Sequence, residues 1–277
     1  HIAALAPSDQ PPLLKLALLG RPNVGKSSIL NALCGRSAAI VSEQAGTTRD
    51  VRTISLKAHG QNIHILDTAG LRRRGKIVPG TEKFSTIRTA QAIASADICA
   101  LIMDATELGV AGDQHIAGMV KEAGKGLILV VNKWDAVERD DKTQAHLSRA
   151  LARDLAFVGW APLVFTSATT NLHIRQLLEL ATQIHTRRNQ TLATGPLNRV
   201  VEDLVRAHPP AGLKGIRPKI NYATQTGTNP PEVTFFTSHP RAIHFSYLRY
   251  LENGLRSAYD FIGTPIKLEF RSKRDKL

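Results

Sequence analysis

The sequence is poor in cysteine and has no long apolar run. Its two cysteines, Cys34 and Cys99, stand in apolar surroundings far apart in the chain, which favours reduced core thiols over a disulfide. The longest apolar stretches, LLKLALLG and LILVV, fall short of the roughly 18–20 residues of a membrane-spanning helix. We therefore expect no membrane segment, and stretches of this length suit buried parallel strands.

Acidic residues are also in the minority. The chain has 36 Lys+Arg against 23 Asp+Glu, a formal net charge of +13. From Thr186 onward it has 15 Lys+Arg and seven Asp+Glu, so more than half of the excess lies in the last third. A basic segment suggests an anionic partner, most commonly nucleic acid, although a solubilising surface would have the same composition.

Short apolar runs alternate with amphipathic segments between residues 13 and 187, and this predicts an α/β domain with a mostly parallel sheet and helices on both faces. The predicted strands are 14–19, 51–58, 62–66, 98–103, 127–131 and 163–166, and the predicted helices are 26–35, 82–95, 113–123, 143–156 and 172–185. Residues 188–277 predict a small α+β domain with a helix at 197–207, strands at 217–224 and 232–237, a helix at 240–258 and a strand at 265–270.

The Pro- and Ala-rich residues 1–12 are predicted to be a linker. The chain begins at His1 rather than Met and has no signal peptide. We therefore expect a cytoplasmic protein and a fragment of a longer polypeptide.

The stretch GRPNVGKS, residues 20–27, follows a predicted strand and opens a predicted helix. This is the G-x-x-x-x-G-K-[ST] phosphate loop in the setting that it requires. Its backbone N–H groups and the helix N-terminus favour phosphate, Lys26 can reach the β- and γ-phosphates, and the Ser27 hydroxyl can bind Mg²⁺. The residues expected to contact nucleotide here are Gly20, Asn23, Val24, Gly25, Lys26, Ser27 and Ser28.

Two further stretches suit a Mg²⁺-bound γ-phosphate. In LDTAG, Asp67 ends a predicted strand and can hold Mg²⁺ through water, and the Gly70 N–H can bond the γ-phosphate. In EQAGTTRD, a threonine hydroxyl can add to Mg²⁺ when the γ-phosphate is present. We choose Thr48 for that role, with Thr47 close behind, although both threonines also suit a simple turn.

The stretch VVNKWD follows another predicted strand and indicates guanine selectivity. The Asp135 carboxylate can accept hydrogen bonds from guanine N1–H and N2–H₂, two donors that adenine lacks. Asn132 can contact the base edge, and the Lys133 stem can cover the base plane. In TSAT the N–H of Ala168 can meet guanine O6, and Ser167 is expected to bind the nucleotide beside it. With the phosphate loop upstream, this predicts GTP or GDP rather than ATP.

The motif order, together with AGTTRD, DTAGLRRRGK and GTEKFSTIRTAQAI, resembles the second G domain of the Der (EngA) family of bacterial ribosome-assembly GTPases. The tail from INYATQTG to GTPIKLEFR resembles that family's C-terminal KH-like domain. Two loops depart from the family pattern: Thr170 stands near an expected glycine-ended turn, and ATELGVAGDQ is looser than the usual ATEG stretch.

The resemblance implies hydrolysis of GTP to GDP and phosphate, in a nucleotide-dependent switch that acts in assembly of the large (50S) ribosomal subunit. It implies two kinds of partner: the large subunit with its rRNA, and an N-terminal G domain that this chain lacks. It also implies catalytic roles for Lys26, Asn23, Thr48 and Gly70.

Leu71 stands where many GTPases have a glutamine that orients the attacking water. The resemblance implies that a K⁺ ion near the β- and γ-phosphates, held partly by Asn23, neutralises charge in place of an arginine finger. The alternative for Asn23 is a structural hydrogen bond within the loop. For Arg72, Arg73 and Arg74 three interpretations stay open: contact with RNA or a partner, a solvated surface, and catalysis.

Two other functions remain open at this point. One is an RNA-binding module whose G domain scarcely turns over nucleotide, and the other is a GTPase of the tRNA-modification type. In the terminal domain, GLKG at 212–215 suits a plain turn better than a KH clamp. Tyr222, Tyr247 and Tyr250 suit a core better than base stacking, and His208, His239 and His244 have no ligand partners for a metal.

Overall fold

A computed structural model describes residues 13–36, 52–58, 60–67, 81–138, 140, 142–212 and 216–272. Backbone packing divides the chain into two units. The first comprises residues up to Ala123 and Leu127–Gln183, and the second comprises Gly124–Gly126 and the chain from Ile184 onward. The predicted boundary after residue 187 stays a prediction. Among the helices of these ranges, none combines the length and apolar character that a bilayer crossing needs.

The first unit is built on a six-stranded sheet in the order β2-β3-β1-β4-β5-β6. Its strands are β1 (Leu14–Leu19), β2 (Arg52–Ala58), β3 (Gln61–Asp67), β4 (Ile98–Asp104), β5 (Gly126–Asn132) and β6 (Leu163–Phe165). β1 pairs in parallel with β3 and β4, and β5 pairs in parallel with β6. Only β2 is shown to be antiparallel, to β3, so the predicted mostly parallel sheet is confirmed.

Five helices accompany this sheet: α1 (Lys26–Arg36), α2 (Thr81–Ser95), α3 (Ala111–Glu122), α4 (Thr143–Asp154) and α5 (Ile174–Arg188). All seven positions of β4 and of β5 are buried, so apolar groups cover both faces of the central strands. On one face, alternate residues of β4 (Cys99, Leu101 and Met103) join a core with buried residues of α2 and α3. This packing fixes the carboxyl ends of the strands, where the predicted motifs lie.

In its described residues, the second unit has a three-stranded sheet and two complete helices. Its elements are α6 (Thr194–Ala207), β7 (Ile220–Gly227), β8 (Glu232–Thr237), α7 (Phe245–Ala258) and β9 (Lys267–Ser272). β8 lies centrally, antiparallel to β7 and parallel to β9. Leu197 and Val201 of α6, Leu251 and Leu255 of α7, and Phe235 of β8 share one buried core. The predicted small α+β domain is confirmed.

Element bounds differ from the predicted ones where short turn signals compete with hydrophobic pattern. The predicted helix 240–258 is a 3₁₀ turn at Pro240–Ala242 followed by α7, which begins at Phe245. The extended backbone of His244 separates them, and its imidazole Nδ1 accepts the Ser246 N–H at 3.3 Å as the helix cap. A side-chain cap of this kind ends one helical segment and begins the next.

Candidate nucleotide site

The phosphate loop lies where the sequence predicts it, between β1 and α1. Gly20 has φ 139° and Gly25 has φ 97°, backbone conformations that favour glycine. A Cβ atom on Gly20 would lie 2.3 Å from the Ile102 carbonyl oxygen, and one on Gly25 would lie 2.2 Å from the Asn132 Nδ2 atom. At both positions, glycine is therefore favoured by the positive φ and by a neighbouring atom that leaves no room for a Cβ atom.

The Lys26 ammonium lies across this loop. Its Nζ atom donates to the backbone carbonyl oxygens of Gly20 at 2.8 Å and Arg21 at 2.6 Å. Asn23 has φ 66° and is exposed; asparagine tolerates this left-handed conformation better than most residues. Ser27 is half-buried in the first turn of α1, and Ser28 is exposed beside it.

Asn132 joins three predicted segments into one site. Its Nδ2 atom donates to the Val24 carbonyl oxygen at 2.9 Å, and its Oδ1 atom accepts from the Thr166 hydroxyl and the Ala168 N–H, both at 3.3 Å. The residue is 1% exposed. The predicted contact of Asn132 with the base edge stays a prediction, whereas its contacts show that it positions the loops around it.

Lys133 and Asp135 emerge at the carboxyl end of β5. Lys133 has φ 61°, and its Nζ atom lies 2.5 Å from Asp104 Oδ2. Burial raises the pKa of the Asp104 carboxyl, but bonds from Lys133 and Thr106 outweigh it, so that this pKa lies below its ordinary value. Asp135 is exposed in a 3₁₀ turn at Trp134–Ala136, and this leaves its carboxylate accessible to a ligand.

The 166–173 turn explains one departure from the family pattern. Ser167 is fully buried, and its hydroxyl accepts the Thr170 N–H at 3.1 Å. The positive φ that a glycine would normally supply falls instead on Asn171 at 61° and His173 at 54°. Thr170 is therefore accommodated without strain.

An open cavity of about 510 Å³ lies between α1 and this turn. Its lining residues are Ser28, Asn31, Ala32, Gly35, Ala168 and Asn171. The two predicted ligand contacts at Ser28 and Ala168 thus face one space, whereas Lys133 and Asp135 are not among its lining residues.

The γ-phosphate side is described only in part. Thr47, Thr48 and Gly70 lie outside the described residues, as do Leu71 and the arginines Arg72, Arg73 and Arg74. For Asp67 the backbone is described: it ends β3 and pairs with Leu18 of β1. This register brings the end of β3 beside the start of the phosphate loop, as the predicted Mg²⁺ role requires.

Sequence reasoning did not find the side-chain partners of Arg21. Its guanidinium donates from Nε to Asp113 Oδ1 at 3.2 Å, from Nη1 to Glu107 Oε2 at 3.0 Å and from Nη2 to the Glu107 carbonyl oxygen at 3.0 Å. Both partners lie in ATELGVAGDQ, the second stretch that departs from the family pattern. That departure was the available signal, although it does not identify Arg21.

Of the three tyrosines predicted to suit a core, Tyr247 and Tyr250 pack there, and the prediction is wrong for Tyr222, which is exposed. The Tyr247 hydroxyl donates to the His208 carbonyl oxygen at 2.7 Å and the Tyr250 hydroxyl to that of Leu204 at 2.9 Å, and both rings pack against the core. Burial raises the pKa of Tyr247 to about 12. Tyr222 is 39% exposed and stacks on Phe236, with ring centroids 4.5 Å apart.

Comparison with known proteins gives two family matches. Residues 15–133 match the family described as 50S ribosome-binding GTPase, and residues 192–271 match the KH-domain-like family of EngA bacterial GTPase enzymes, C-terminal. Among solved structures, a variant of Aquifex aeolicus Era bound to GDP.AlF4- has a TM-score of 0.48 and 21% identity, over 94% of this chain and 93% of that chain.

Two curated relatives cover nearly the whole sequence. GTPase Der of Chloroflexus aggregans is 45% identical over 97% of this chain and 60% of the relative. GTPase Der of Moorella thermoacetica is 42% identical over 99% of this chain and 63% of the relative. The chain thus spans about three fifths of the length of these relatives. A ribosome-binding GTPase segment is followed by an EngA KH-like segment, and the relatives align with both, so the chain is similar to the Der (EngA) family of GTPases over nearly its whole length.

Proposed function

We propose that this chain binds GTP and GDP, hydrolyses GTP to GDP and phosphate, and acts as a nucleotide-dependent switch in assembly of the large ribosomal subunit in the cytoplasm. One observation carries the nucleotide site: Asn132 connects the phosphate loop at Val24 with the guanine-side turn at Ala168. A single buried side chain therefore holds the phosphate-binding and base-binding segments in register. The name that the curated relatives bear supports the same activity.

The oxygen ligands fit a Mg²⁺ ion, which prefers hydroxyl, carboxylate and phosphate oxygens. Ser27, in the first turn of α1, Thr48 and Asp67 would hold it. When bound, Mg²⁺ neutralises charge on the β- and γ-phosphates. The register of Asp67 beside Leu18 supports its place near the phosphate loop.

Base choice rests on Asp135, whose exposed carboxylate accepts the two guanine donors. Lys133 is held by Asp104 at 2.5 Å, and its stem would cover one face of the base. Ala168 presents its backbone N–H for guanine O6. Ser167, also predicted to bind the nucleotide, is fully buried, and its hydroxyl bonds the turn internally.

Hydrolysis proceeds here without a glutamine at position 71. Lys26 binds the β- and γ-phosphates, the Gly70 N–H bonds the γ-phosphate, and the Thr48 hydroxyl would help to hold Mg²⁺ when the γ-phosphate is present. Asn23 is exposed at the phosphate loop with a left-handed backbone, and its side-chain oxygen would help to hold a K⁺ ion. Such an ion would supply positive charge to offset the negative charge that develops on the γ-phosphoryl group.

The second unit supplies a candidate surface for rRNA. Five exposed residues form what we call the basic surface: Arg217, Lys219, Arg241, Phe245 and Arg249. Ser238 and Lys219 exchange hydrogen bonds at 3.1 Å, so the segments before β7 and after β8 lie side by side. Residues 216–219 and 238–250 contain no carboxylate.

Phe245 gives this surface an aromatic component. It is 62% exposed, and the Arg249 guanidinium lies 5.7 Å from its ring centroid. Exposed rings beside cations suit stacking on unpaired bases, with phosphates bound by the flanking basic residues. Charge and exposed ring together favour single-stranded RNA over a protein partner.

Co-sedimentation with large ribosomal subunits tests this role. The triple variant Lys219→Gln, Arg241→Gln, Arg249→Gln should bind more weakly, and the slope of log affinity against log salt should shrink by about one for each phosphate that is no longer neutralised. Arg206→Gln is the matched control, since Arg206 is exposed in the same unit but paired with Asp203. Equal weakening in the control would show that net charge, rather than this surface, governs binding.

A turnover assay with GTP and ATP in parallel tests the enzymatic part. We expect phosphate release from GTP alone. Nucleotide binding without measurable turnover would instead favour the RNA-binding module considered above.

A further inference from the structure

Arg21 is the second residue of the phosphate loop, yet its side chain turns away from the loop. It reaches Asp113, in the first turn of α3, and Glu107, in the connection from β4 to α3. The partners stand 92 and 86 positions further along the chain. Three hydrogen bonds from one planar guanidinium fix its orientation more strictly than a single hydrogen bond would.

Asp113 is built to receive this arginine. Its side chain is 3% exposed, and within the described residues Arg21 is the only cation paired with it. The other carboxylate oxygen, Oδ2, is buried without a hydrogen bond in that part of the chain. Burial raises the pKa of Asp113 above its ordinary value, although Arg21 opposes the rise. A buried carboxylate with one cationic partner constrains where that partner sits.

The start of α3 is also shaped for the arginine stem. A Cβ atom on Gly112 would lie 3.1 Å from Arg21 Cδ and 3.5 Å from Cγ. Gly112 therefore lets the stem pass close over the first turn of the helix. The guanidinium then reaches Asp113 without displacing the backbone.

The anchored residue in turn holds Lys26. Lys26 Nζ donates to two carbonyl oxygens, one of which belongs to Arg21 and the other to Gly20. Fixing the Arg21 side chain thus fixes the peptide that orients the phosphate-binding ammonium.

The same connection also touches the base side. Asp104, where β4 ends, binds Lys133, and Glu107 and Asp113 bind Arg21. We call residues 104–113 the bracing segment. It is tied to the guanine motif at one end and to the phosphate loop at the other.

We propose that Arg21 is a positioning residue for phosphate binding, which acts by anchoring the phosphate loop, and with it Lys26, to Asp113 and Glu107. The inference rests on the proposed nucleotide site. Arg21 itself does not contact the phosphates. Its removal should weaken binding of the β-phosphate and leave base recognition intact, because the base is held through Asp135 and Ala168.

The test compares GDP with GMP, which share base and sugar and differ by the β-phosphate. The double variant Arg21→Met, Asp113→Leu removes both charges and keeps apolar volume, a replacement that buried ion pairs often tolerate. Affinity for GDP should fall about tenfold while affinity for GMP changes less than about twofold, as expected when a charge-assisted hydrogen bond to phosphate is no longer held in place.

The matched control is Arg206→Met, Asp203→Leu, an ion pair of the second unit that is exposed on both sides, which should change neither affinity. An unchanged GDP-to-GMP ratio in the Arg21 variant would overturn the inference while leaving the site itself intact. Failure of the parent chain to bind either nucleotide would instead refute the proposed function. If the double variant does not fold, Arg21→Lys, which keeps a cation opposite Asp113, gives the same comparison, and equal weakening for both nucleotides again overturns the inference.

Discussion

Two buried or half-buried asparagines show how differently the two units use the same chemical group. Asn132 in the first unit bonds the phosphate loop and the 166–168 turn. Asn198 in the second unit bonds one residue twice, donating to the Ala223 carbonyl oxygen at 2.8 Å and accepting its N–H at 2.7 Å. The first amide assembles a binding site from distant segments, whereas the second completes the outer edge of a strand.

The wider polar contacts follow the same division. In the first unit, Arg21, Asn132 and Lys133 all join segments at the carboxyl ends of strands. In the second unit, Gln225 bonds the Leu192 N–H, and Arg256 bonds Glu252 and the carbonyls of Phe261 and Thr264. These bonds hold the scaffold and leave the basic surface outside the network. The polar contacts of the first unit therefore gather at the proposed nucleotide site, whereas those of the second unit lie within its scaffold.

The largest effect that would sharpen this comparison is expected from Asp135→Asn. Replacing one of the carboxylate's acceptors by a donor should lower GTP affinity by roughly a hundredfold or more and favour xanthosine nucleotides. RNA binding by the second unit in the GDP state should not change. Nucleotide titration with GTP and XTP measures this, and equal GTP affinity in parent and variant would refute the guanine assignment.

Alanine variants of Asn132 and Asn198 test directly whether the two units use their buried or half-buried amides differently. Asn198→Ala leaves both polar groups of Ala223 without their partner, and should lower the free energy of unfolding by about 1–3 kcal/mol with GDP affinity unchanged. Asn132→Ala should lower GDP affinity by about tenfold or more, beyond what any decrease in stability explains. Denaturant unfolding measures the free energy of unfolding of both variants, and GDP titration measures their affinity. Weaker GDP binding by Asn198→Ala would break the comparison.

Cation dependence is expected to be a smaller effect, confined to catalysis. Hydrolysis should be about tenfold faster in K⁺ than in Na⁺ at equal ionic strength, since a fixed cation replaces the charge of an arginine finger. Asn23→Ala should remove most of that difference and leave GDP affinity close to that of the parent. Phosphate-release assays in the two salts measure it, and identical rates would refute the proposed replacement for glutamine.

The smallest effect concerns two carboxylates of the first unit whose pKa shifts have opposite signs. The pKa of Asp104 lies below its ordinary value of 3.8, so its stabilising contribution is present above that pH and is lost as pH falls toward the lower folded-state value. The pKa of Asp113 is raised, so its unfavourable contribution develops as pH rises from 3.8 through the folded-state value.

The free energy of unfolding of Asp104→Asn and of Asp113→Asn, each relative to the parent, should therefore change in opposite directions across roughly pH 3–6, a range about the ordinary carboxyl pKa values. The advantage of the parent over Asp104→Asn should shrink on acidification. On acidification over the same range, the stability of the parent relative to Asp113→Asn should increase. Parallel curves for the two variants would contradict the structural assignment of these carboxylates.

Much of the fold and of the nucleotide site was predictable because its signals are local. Lys26 and Ser27 are identified by their spacing from Gly20, and the apolar runs before Asp67 and Asn132 give the strands that place them. The contacts that could not be predicted join residues that are far apart in the sequence. Asp113 looks like any acidic residue in the first turn of a helix, and only the fold brings Arg21 to it from 92 positions away.

The terminal unit shows the same limit. Its order of elements follows from hydrophobic pattern, but neither the role of Asn198 nor the exposure of Phe245 does. An amide on an amphipathic helix and an aromatic residue at a helix start both suit several environments. Tertiary packing selects among them.

The two glycines of the phosphate loop have different prospects in a genetic suppressor screen. A methyl group at Gly20 would meet the Ile102 carbonyl, and no exchange of side chains removes a carbonyl, so second-site revertants of Gly20→Ala should not arise at position 102. A methyl group at Gly25 would meet the Asn132 side chain, which a second mutation can shorten. That revertant would relieve the clash but lose the residue that joins the loops. Second-site mutations should therefore not restore function to an alanine variant of either glycine, for two separate reasons.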